Sequence, residues 1–527
     1  MNRRQFFGIT SAATVHLTIS GCRSLSDPRN LVLEEATILQ LQSALQNGTE
    51  TTVSLTRRYL HRIAQLDQAG PRLNSVIELN PDALDIARQL DAERKVRGAR
   101  GPLHGIPVLL KDNIDTHDRM MTTAGSLALL GSIAPQDATV ARKLREAGAV
   151  VLGKTNLSEW ANFRGSRSTS GWSGRGGQTR NPYVLDRNPS GSSSGSAVAV
   201  SANLCALAIG TETDGSIVSP ASHCGIVGLK PTLGLISRAG IIPIAHSQDT
   251  AGPMARTVTD AAIALGILAG ADPRDPATRA APEKDFTRFL DANGLKGARL
   301  GVARKFFGAN TRANKVLDAA LTVLKEAGAE IIDPADLPAS ASFGAAEQQV
   351  LLYEFKAGLN AYLATLGPKA PRRSIDDIIA FNERNPDREL QFFGQETMIK
   401  ARDKGPLTEP EYLEAAAKAK RLAGPEGIDA VMDQHRLDAI IAPTSGPAGT
   451  IDYLYGDRGE GGSSSPAAVA GYPSITVPAG HHAGLPVGLS FFGRAWSEGV
   501  LIKMAYAFEQ RAKARMVPKF LPTLGAH

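Results

Sequence analysis

The sequence has 527 residues, of which 43% are hydrophobic and 21% charged, as expected for a globular protein with a large apolar core. The formal net charge is +6, and it falls to +4 without the first twenty-one residues, which carry Arg3 and Arg4. This charge is weak for so long a chain, and no Lys/Arg block with intervening aromatic residues is present. The composition therefore argues against nucleic-acid binding.

The first twenty-one residues have the features of an export signal. Arg3 and Arg4 form a twin-arginine start, residues 8–20 are a weakly apolar run, and Gly21-Cys22 ends it. The run is too short and too polar to span a membrane permanently. The segment resembles a twin-arginine signal with a lipoprotein cleavage site. The alternative is a disordered basic start with a chance Gly-Cys pair, but the twin arginine and the cysteine occur together.

On this interpretation residues 1–21 are a signal peptide, and cleavage leaves Cys22 as a lipidated N-terminus. Residues 22–30 then form a tether, and 31–527 form one folded domain. The predicted location is exported, periplasmic or at the cell surface. Contact with a membrane is expected only through the lipid on Cys22.

Helical patterns come first in the folded part. Apolar residues recur at helical spacing in residues 35–46 and 54–68, and a third helix is predicted over 82–96. An apolar strand, 105–110, follows and ends in Lys111. Burial of a lysine can lower its pKa by several units from about 10.4, which would make Lys111 a candidate base. A surface lysine after a strand is the alternative.

Helix–strand units indicate the fold class. A helix at 139–147 is followed by the apolar strand 149–152, and the same pattern appears at 314–332. This alternation is typical of an α/β protein whose sheet is covered by helices on both faces. Lys154 follows the first of these strands in Gly-Lys-Thr, but a Walker loop needs a loop before that pair, so packing is the preferred interpretation.

A serine- and glycine-rich stretch dominates the middle of the chain, at residues 189–231. Five serines and two glycines occupy positions 190–196, small apolar residues run from 197 to 209, and a polar loop ends in Asp214-Gly215-Ser216. A small-residue helix between two serine-bearing loops is the simplest prediction. A flexible linker is the alternative, but the apolar residues that follow need a core.

The turn at residues 213–216 can combine a nucleophile with an oxyanion hole. Consecutive backbone N–H groups of Thr213, Asp214, Gly215 and Ser216 can point at one oxygen, while the Ser216 hydroxyl points at the attached carbon. The sequence around Ser216 does not fit the GxSxG elbow, and the nearby His223 lies beyond Pro220. Lys111 is the alternative base.

The sequence resembles the amidase signature family, and more closely its bacterial peptide amidases. The resemblance covers nearly the whole chain after residue 30, in the family's order. The matching segments include GPLHGIPVLLKDNID (101–115), NPSGSSSGSAVAV (188–200), GTETDGSIVSPA (210–221), GIVGLKPT (225–232) and SQDTAGPMARTV (247–258).

The resemblance implies roles for matching positions. It implies that Ser216 is the nucleophile, that Ser192 has a cis peptide bond and relays protons, and that Lys111 is the ultimate base. Ser193 is expected to support this Ser-cisSer-Lys triad by hydrogen bonding, while Ser194 is expected to cap the following helix. Where many family members have Gly-Gly-Ser-Ile-Arg, this chain has Asp214 and, after Ile217, Val218.

The resemblance also implies a single large α/β/α domain with a mixed central sheet. Residues 272–434, rich in charged helices and prolines, are expected to form a helical insertion that covers the substrate cleft. The aromatic residues of this region are expected either to shape the cleft or simply to pack between helices. They include Tyr353, Phe355, Phe381, Phe392 and Phe393.

The remaining cysteines and two histidines leave alternatives open. Cys205 and Cys224 could form a disulfide in an oxidising compartment, but free core cysteines are preferred. His481 and His482 could suggest a metal, but no third ligand stands at suitable spacing and a polar turn explains them. No metal or organic cofactor is predicted.

The expected activity is hydrolysis of a carboxamide C–N bond through an acyl-enzyme. The resemblance implies C-terminally amidated peptides or amino-acid amides as substrates, with release of ammonia. Alternatives are hydrolysis of aryl or fatty amides, the related glutamine-dependent tRNA amidotransferase subunit, which the export signal disfavours, and a non-catalytic binding lipoprotein on the same fold. Retention of Lys111, Ser192 and Ser216 together argues against the last.

Overall fold

The computed structural model describes residues 31–278, 285–338, 342–368, 370–458 and 461–525. The predicted signal peptide, the tether and Cys22 therefore lie outside the described residues. None of the helices in the described ranges has the length and apolar character needed to cross a membrane.

The strands, in chain order, are β1 (Val76–Leu79), β2 (Pro107–Lys111), β3 (Val150–Thr155), β4 (Trp172–Ser173), β5 (Gly177–Gln178), β6 (Leu207–Glu212), β7 (Val227–Lys230), β8 (Thr250–Ala255), β9 (Arg299–Val302), β10 (Glu330–Ile332), β11 (Ala439–Pro443), β12 (Ser474–His482) and β13 (Leu485–Phe492).

Within the described residues, eleven of these strands form one sheet, and β4 pairs with β5 in a separate hairpin. The order across the sheet is β1-β3-β2-β6-β8-β7-β12-β13-β11-β9-β10. The pairs β3–β2, β2–β6, β11–β9 and β9–β10 are parallel, and the other neighbours are antiparallel. The predicted α/β fold with a mixed central sheet is confirmed.

The helices that flank the sheet are α1 (Ile38–Gln46), α2 (Thr52–Arg62), α3 (Ala83–Arg97), α4 (Thr139–Glu146), α5 (Ser194–Ser201), α6 (Val218–His223), α7 (Val258–Leu268), α8 (Thr311–Glu326), α9 (Gly344–Thr365), α10 (Ile375–Arg384), α11 (Pro386–Glu389), α12 (Glu396–Arg402), α13 (Pro410–Ala423), α14 (Ala430–His435), α15 (Ser464–Ala470) and α16 (Glu498–Ala512).

Capping residues set the start of the first two helices. Thr37 and Thr51 each accept a hydrogen bond from the backbone three residues on, and the residues there, Gln40 and Ser54, bond back to the cap. These capping boxes satisfy backbone donors that a helix start leaves free. Helix α1 therefore begins at Ile38, three residues later than the periodicity of 35–46 predicts.

The apolar run 197–209 departs from the prediction of a single helix. Helix α5 ends at Ser201, and β6 begins at Leu207. Both halves are fully buried, so apolar residues occupy every face of the chain. The alternation of apolar and polar residues that distinguishes a helix from a strand is therefore absent from the sequence. The run therefore crosses from a helix that packs on the sheet into a strand within it.

Residues 272–434 contain two strands as well as helices, and the second strand ends the helix–strand unit predicted at 314–332. Strands β9 and β10 lie in this region and extend the sheet beyond β11, with α8 as the parallel crossover between them. The helices α9 to α13 follow. The region therefore contributes both a sheet edge and a helical layer.

The sheet positions the candidate site. Strands β2 and β6 are parallel neighbours, so their carboxyl ends lie side by side at one edge. Lys111 ends β2, and the loop with Ser216 follows β6. Ligands of α/β proteins commonly bind outside the carboxyl ends of strands, and this pair of strand ends is where the predicted residues meet.

Candidate active site

Lys111 lies at the centre of a cluster of hydroxyl groups. Its side chain is fully buried, and Nζ lies 2.7 Å from Ser192 Oγ and 3.0 Å from Ser193 Oγ. Thr211 supplies two further contacts, with Oγ1 at 2.9 Å and the carbonyl oxygen at 3.2 Å. Each of these contacts is uncharged, so the cluster suits a neutral amine as well as an ammonium.

Burial sets the protonation of Lys111. Desolvation of the charged form lowers the pKa of Lys111 to about 7, although the carboxylates of Asp249 and Glu212 oppose the shift. A substantial fraction of this lysine is therefore neutral near physiological pH. A neutral lysine can take a proton from a hydroxyl, which an exposed lysine cannot do at this pH.

The peptide bond between Gly191 and Ser192 is cis. The backbone around it is held from two sides. Ser158 N–H donates to the Ser192 carbonyl at 3.1 Å, and Ser193 N–H donates to the Ser216 carbonyl at 3.2 Å. The serine-rich loop therefore lies directly against the residue predicted as nucleophile. Ser192 and Ser193 are fully buried.

Ser193 and Ser194 differ in what they contact. Ser193 Oγ bonds Lys111, donates to the Thr211 carbonyl at 3.0 Å and accepts from the Thr211 N–H at 3.2 Å. Ser194 Oγ donates to the Ser190 carbonyl at 2.6 Å. Ser194 is the first residue of α5 and its side chain does not cap the helix, so that expectation was wrong. The structure thus brings Ser193, and not Ser194, to the lysine.

The loop at residues 213–216 presents its backbone donors. Across the described ranges, none of its four N–H groups donates a hydrogen bond to another protein group. Gly215 has φ +77°, a conformation that favours glycine, and a Cβ there would lie 3.0 Å from Ser464 Oγ. Ser216 remains 8% exposed. Unpaired backbone donors beside a serine hydroxyl are one feature that an oxyanion hole requires.

Several residues support this loop but were not identified from the sequence. The carboxylate of Glu212 accepts from the N–H groups of Ile217 and Val218, at 2.7 and 3.0 Å, and so fixes the chain just after Ser216. Glu212 and Thr211 stand in the segment 210–221 that carries the family resemblance. Neither residue could be assigned a supporting role from the sequence, because a glutamate and a threonine at the end of a strand are common.

Asp214 of this loop and Glu347 of α9 form an acidic pair. Asp214 accepts hydrogen bonds from Ser464 and Ser465, at 2.5 and 2.6 Å, and lies within hydrogen-bond reach of Glu347 on α9. Burial and the neighbouring Asp214 carboxylate raise the pKa of Glu347 well above its ordinary value. Gln248 donates to Glu347 at 3.0 Å and to the Thr213 carbonyl at 3.3 Å. No sequence signal pointed to Glu347, which lies 133 residues from Asp214.

Other titratable residues singled out in the sequence lie elsewhere. Lys154 lies in β3 and donates to the Ile114 carbonyl at 2.7 Å and to Thr122 Oγ1 at 2.9 Å. His223 ends α6, and burial lowers its pKa to about 4. His481 and His482 end β12. The part of the chain that the structure describes holds no group of His, Cys, Asp and Glu that could bind a metal ion.

Two cavities lie along α9, one at its first turns and the other at its last turns. The front groove, of about 910 Å³, lies between residues 162–168 and the first turns of α9, and its lining includes Asn162, Gln348 and Asp457. Asp457 accepts from Asn188 Nδ2 at 2.7 Å, so the groove adjoins the loop before Ser192. The rear cavity, of about 550 Å³, is lined by the last turns of α9 and by Thr211 and Thr213, so it adjoins the loop that leads to Ser216.

The aromatic residues of the helical region pack against other rings, one of which lines the front groove. Phe355 is buried and meets Phe163, which lines the groove, with ring centroids 5.0 Å apart. Phe393 is also buried, whereas Phe392 is 36% exposed and stacks on Tyr453 at 4.1 Å. None of the five predicted aromatics lines either cavity, so the structure shows only the packing role for them.

Comparison with known proteins agrees with this geometry. The family model described as Amidase matches residues 54–502. The crystal structure of native peptide amidase from Stenotrophomonas maltophilia is 55% identical, with a TM-score of 0.88 over 92% of this chain and 99% of that chain. A probable amidase from Arabidopsis thaliana is 44% identical over 93% of this chain and 92% of its own length.

A more distant relative has a different named activity. A glutamyl-tRNA(Gln) amidotransferase subunit from Thermoanaerobacter pseudethanolicus is 34% identical over 92% of this chain and 98% of its own length. The family match and these identities extend over nearly all of the described domain. The chain therefore belongs to the amidase family and is a hydrolase that cleaves the C–N bond of amides.

Proposed function

We propose that Ser216 attacks the amide carbon and that Lys111 acts as the base through Ser192. The observation that carries this proposal is the 2.7 Å contact between Lys111 Nζ and Ser192 Oγ inside a fully buried cluster. Ser193 N–H holds the Ser216 carbonyl and so keeps the two serine loops together. A lysine with its pKa lowered to about 7 can accept a proton at neutral pH.

Proton transfers balance in two half-reactions. As Ser216 Oγ bonds to the carbonyl carbon, its proton passes to Ser192 Oγ while the Ser192 proton passes to Lys111. Reversal of this transfer delivers a proton to the leaving nitrogen, the C–N bond breaks, and ammonia leaves an acyl-serine. Water then attacks the acyl group, the same relay takes and returns one proton, and the free acid and Ser216 are restored.

The loop at residues 213–216 is proposed as the oxyanion hole. Its N–H groups have no acceptors among the described protein residues, so they are available to the oxygen that becomes negative in the tetrahedral intermediate. Loss of one such donor typically costs about 10²–10³ in kcat. Glu212 keeps the following residues in place and so preserves the direction of these donors.

We propose C-terminally amidated peptides and amino-acid amides as substrates. The likeness to a peptide amidase at 55% identity supports this class. The front groove supports it as well, because amide and charged side chains line it beside the apolar ones. An aryl or fatty amide would instead favour a deep apolar channel.

The test is a substrate panel with a matched blank. We expect ammonia release from N-acetylated dipeptide amides, and slower amine release from the corresponding anilides. Ser216→Ala should lower kcat by at least about 10⁴-fold and abolish labelling by a fluorophosphonate probe. Ser219→Ala is the control, since Ser219 lies three residues on and bonds Ser190 rather than Lys111. Equal activity of the Ser216→Ala enzyme would refute the proposal.

We also propose that the enzyme is exported and held to a membrane by a lipid on Cys22. The twin arginine at positions 3 and 4 and the cysteine at position 22 support this location. Cys22→Ala should move activity from the membrane fraction to the soluble periplasmic fraction. Activity that stays with the membrane in that variant would contradict a lipid anchor.

A further inference from the structure

The segment 449–457 lies along the chain that leads into the proposed relay serine. Asn188 N–H donates to the Gly449 carbonyl at 2.8 Å, and Ile451 N–H donates to the Asp186 carbonyl at 3.0 Å. These backbone contacts join parts of the sequence that lie far apart. The segment therefore supports the chain just before Ser192 from outside the serine-rich stretch.

Asp457 ends this segment and accepts three hydrogen bonds from the loops around Ser192. Its Oδ1 accepts from Asn188 Nδ2 at 2.7 Å and from Ser170 N–H at 2.8 Å, and its Oδ2 accepts from the Ser170 hydroxyl. Across the described ranges no cation pairs with it, so hydrogen bonds alone hold the carboxylate. Each partner donates, as an ionised carboxylate requires.

The Asn188 amide has a definite direction in this arrangement. Asn188 is 6% exposed, its Oδ1 accepts from Ser190 N–H at 2.7 Å, and its Nδ2 donates to Asp457. Only the oxygen of an amide accepts a hydrogen bond here, and only the nitrogen donates one. Asp457 takes the donor end, so the acceptor end faces Ser190. Without Asp457 the amide can turn over and present its NH₂ to another N–H group.

Ser190 has a backbone conformation that needs this support. Its φ is +62°, in the left-handed region that few residues other than glycine adopt. Such a conformation persists only where surrounding contacts hold it. The Ser190 hydroxyl contacts Ser219 Oγ at 2.9 Å, and its carbonyl accepts from Ser194 Oγ at 2.6 Å. Ser192 follows two residues later, so Ser190 sets the direction in which the chain enters Ser192.

Ser170 gives Asp457 a second contact with the same loop. Ser170 is 2% exposed and lies against Gly191, because a Cβ at position 191 would lie 2.8 Å from Ser170 Oγ. Asp457 holds Ser170 through both its backbone and its hydroxyl. One carboxylate therefore supports Ser190 and Gly191, the two residues before Ser192, through one intermediate residue each.

We propose that Asp457 is a positioning residue for catalysis, which keeps Ser192 within reach of Lys111 by orienting the Asn188 amide. Its hydrogen bonds go to Asn188 and Ser170 and not to the triad, so it acts through the serine loop. This inference rests on the proposed role of Ser192 as proton relay. Because Asp457 also lines the front groove, the alternative is a contact with the substrate.

Asp457→Ala separates the two roles in the full-length enzyme, with an N-acetylated dipeptide amide as substrate. Loss of the acceptor lets Asn188 turn and the serine loop shift, and a misplacement of about 1 Å can cost about 10²-fold in rate. We expect kcat to fall at least about 30-fold, with KM within about threefold of the wild-type value. A rise in KM with unchanged kcat would show a substrate contact and overturn the proposal.

Asp457→Asn is the conservative variant. Its oxygen can still accept from Asn188 and the Ser170 N–H group, while its NH₂ donates to the Ser170 hydroxyl oxygen. We therefore expect kcat within about fivefold of wild type. An Asp457→Asn enzyme as impaired as Asp457→Ala would show that the negative charge, and not the position of Asn188, is what catalysis needs, and would refute the proposal.

Asp452→Ala is the matched control for the segment itself. The Asp452 carboxylate accepts from the N–H groups of Leu454 and Tyr455, so its loss disturbs the same segment without touching the serine loop. We expect nearly normal kcat and a Tm similar to that of Asp457→Ala. An equal loss of kcat in both alanine variants would show a general disturbance of the segment and would contradict a specific role of Asp457.

A double-mutant cycle with Asn188→Ala tests the route. If Asp457 acts through Asn188, its removal has little left to disturb once the amide is gone. We expect Asp457→Ala to lower kcat less than about fivefold in that background, against at least about 30-fold in the wild-type enzyme. Equal factors in the two backgrounds would refute the route through Asn188.

Labelling of Ser216 by a small fluorophosphonate probe separates this inference from the proposed mechanism. The probe needs the relay but not the front groove, so the labelling rate should fall in Asp457→Ala about as much as kcat. If Asp457→Ala is labelled at the wild-type rate while Ser216→Ala is not labelled, this inference is wrong and the nucleophile stands. If Ser216→Ala keeps full hydrolytic activity, the proposed nucleophile is wrong and this inference falls with it.

Discussion

Two buried lysines, Lys111 and Lys154, differ in the groups that they contact. Lys111 and Lys154 are both fully buried at the ends of neighbouring strands, and burial lowers the pKa of both. Lys111 contacts two serine hydroxyls, whereas Lys154 contacts a carbonyl and a threonine. Asp112 and Asp115 also favour the charged form of Lys154. Of the two lysines, only Lys111 contacts the serine loop that lies against Ser216, the proposed nucleophile.

The state of Lys111 predicts the acidic limb of the pH profile. Burial lowers the pKa of Lys111 to about 7, and only the neutral amine can accept the serine proton. We expect kcat/KM for an N-acetylated dipeptide amide to rise about tenfold per pH unit below that value and to level off above it. Lys111→Arg, which stays protonated, should be inactive from pH 5 to 10. A flat profile down to pH 5 would contradict the assignment.

Ionisation of Glu347 is expected to lower kcat at alkaline pH. Burial and Asp214 raise the pKa of Glu347 to about 8, so above that pH two carboxylates repel each other beside the oxyanion loop. Because the folded state holds this proton more tightly than the unfolded chain, stability should also fall as pH rises from about 4.5 to 8. We expect wild-type kcat to decline above about pH 8, with KM little changed.

Glu347→Gln is the matched variant for that limb. The glutamine amide can donate to Asp214 at every pH while its oxygen still accepts from Gln248, so the decline above pH 8 should disappear. Nearby charges that face the pair are Lys230 and Glu212, and neither is changed. An unchanged alkaline limb in Glu347→Gln would show that another group controls it.

At the scale of elements, the start of α5 depends on contact with two neighbouring strands. Gly195 N–H donates to the Asn156 carbonyl at 2.9 Å, just after β3. A Cβ at position 195 would lie 2.3 Å from the Ser75 carbonyl oxygen and 2.5 Å from that of Asn156. Both neighbours are backbone atoms, which cannot swing aside as a flexible side chain can. The serine loop is therefore positioned by close backbone packing.

Gly195→Ala should damage both stability and activity. Overpacking against backbone typically costs about 1–3 kcal/mol and more where nothing can move, so we expect about 3 kcal/mol and a clear fall in Tm. The displaced loop should also lower kcat more than KM. Ala197→Gly in the same helix is the control, with a loss of about 1–2 kcal/mol and nearly normal kcat. Similar kcat values for both variants would argue against this view of the loop.

How far the sequence predicts the fold differs from element to element. The strands predicted at 105–110 and 149–152 correspond to β2 and β3, because each predicted run is apolar and follows turn residues. Strand β9, with four residues, is too short to show a period and lies in a region predicted as helical, whereas β10 falls at the end of the helix–strand unit predicted at 314–332. The supporting carboxylates Glu212 and Glu347 also escaped prediction, since their roles depend on contacts that only the folded chain creates.

At the scale of the whole molecule, one hydrophobic core spans the sheet. The largest cluster of buried residues runs from α1 through the central strands to α16. Cys205 and Cys224 both belong to it, are fully buried, and are free thiols in the structure. Of the two interpretations that the sequence left open, the structure favours free core cysteines over a disulfide. Burial raises the pKa of Cys205 to about 12 and that of Cys224 further still.

These thiols should report unfolding of the whole domain. Because both are buried in one core and protonated at neutral pH, neither Cys205 nor Cys224 should react with a thiol reagent in the native enzyme at pH 8. Denaturant should expose both thiols together, at the same midpoint as the loss of circular dichroism.

The Cys22→Ala variant serves as the control, because it leaves Cys205 and Cys224 as the only cysteines that a thiol reagent can label. Dithiothreitol should leave its Tm unchanged. Labelling of either thiol well before the global transition would show that part of the core opens independently. A fall in Tm with dithiothreitol would instead show that the two cysteines are joined in solution.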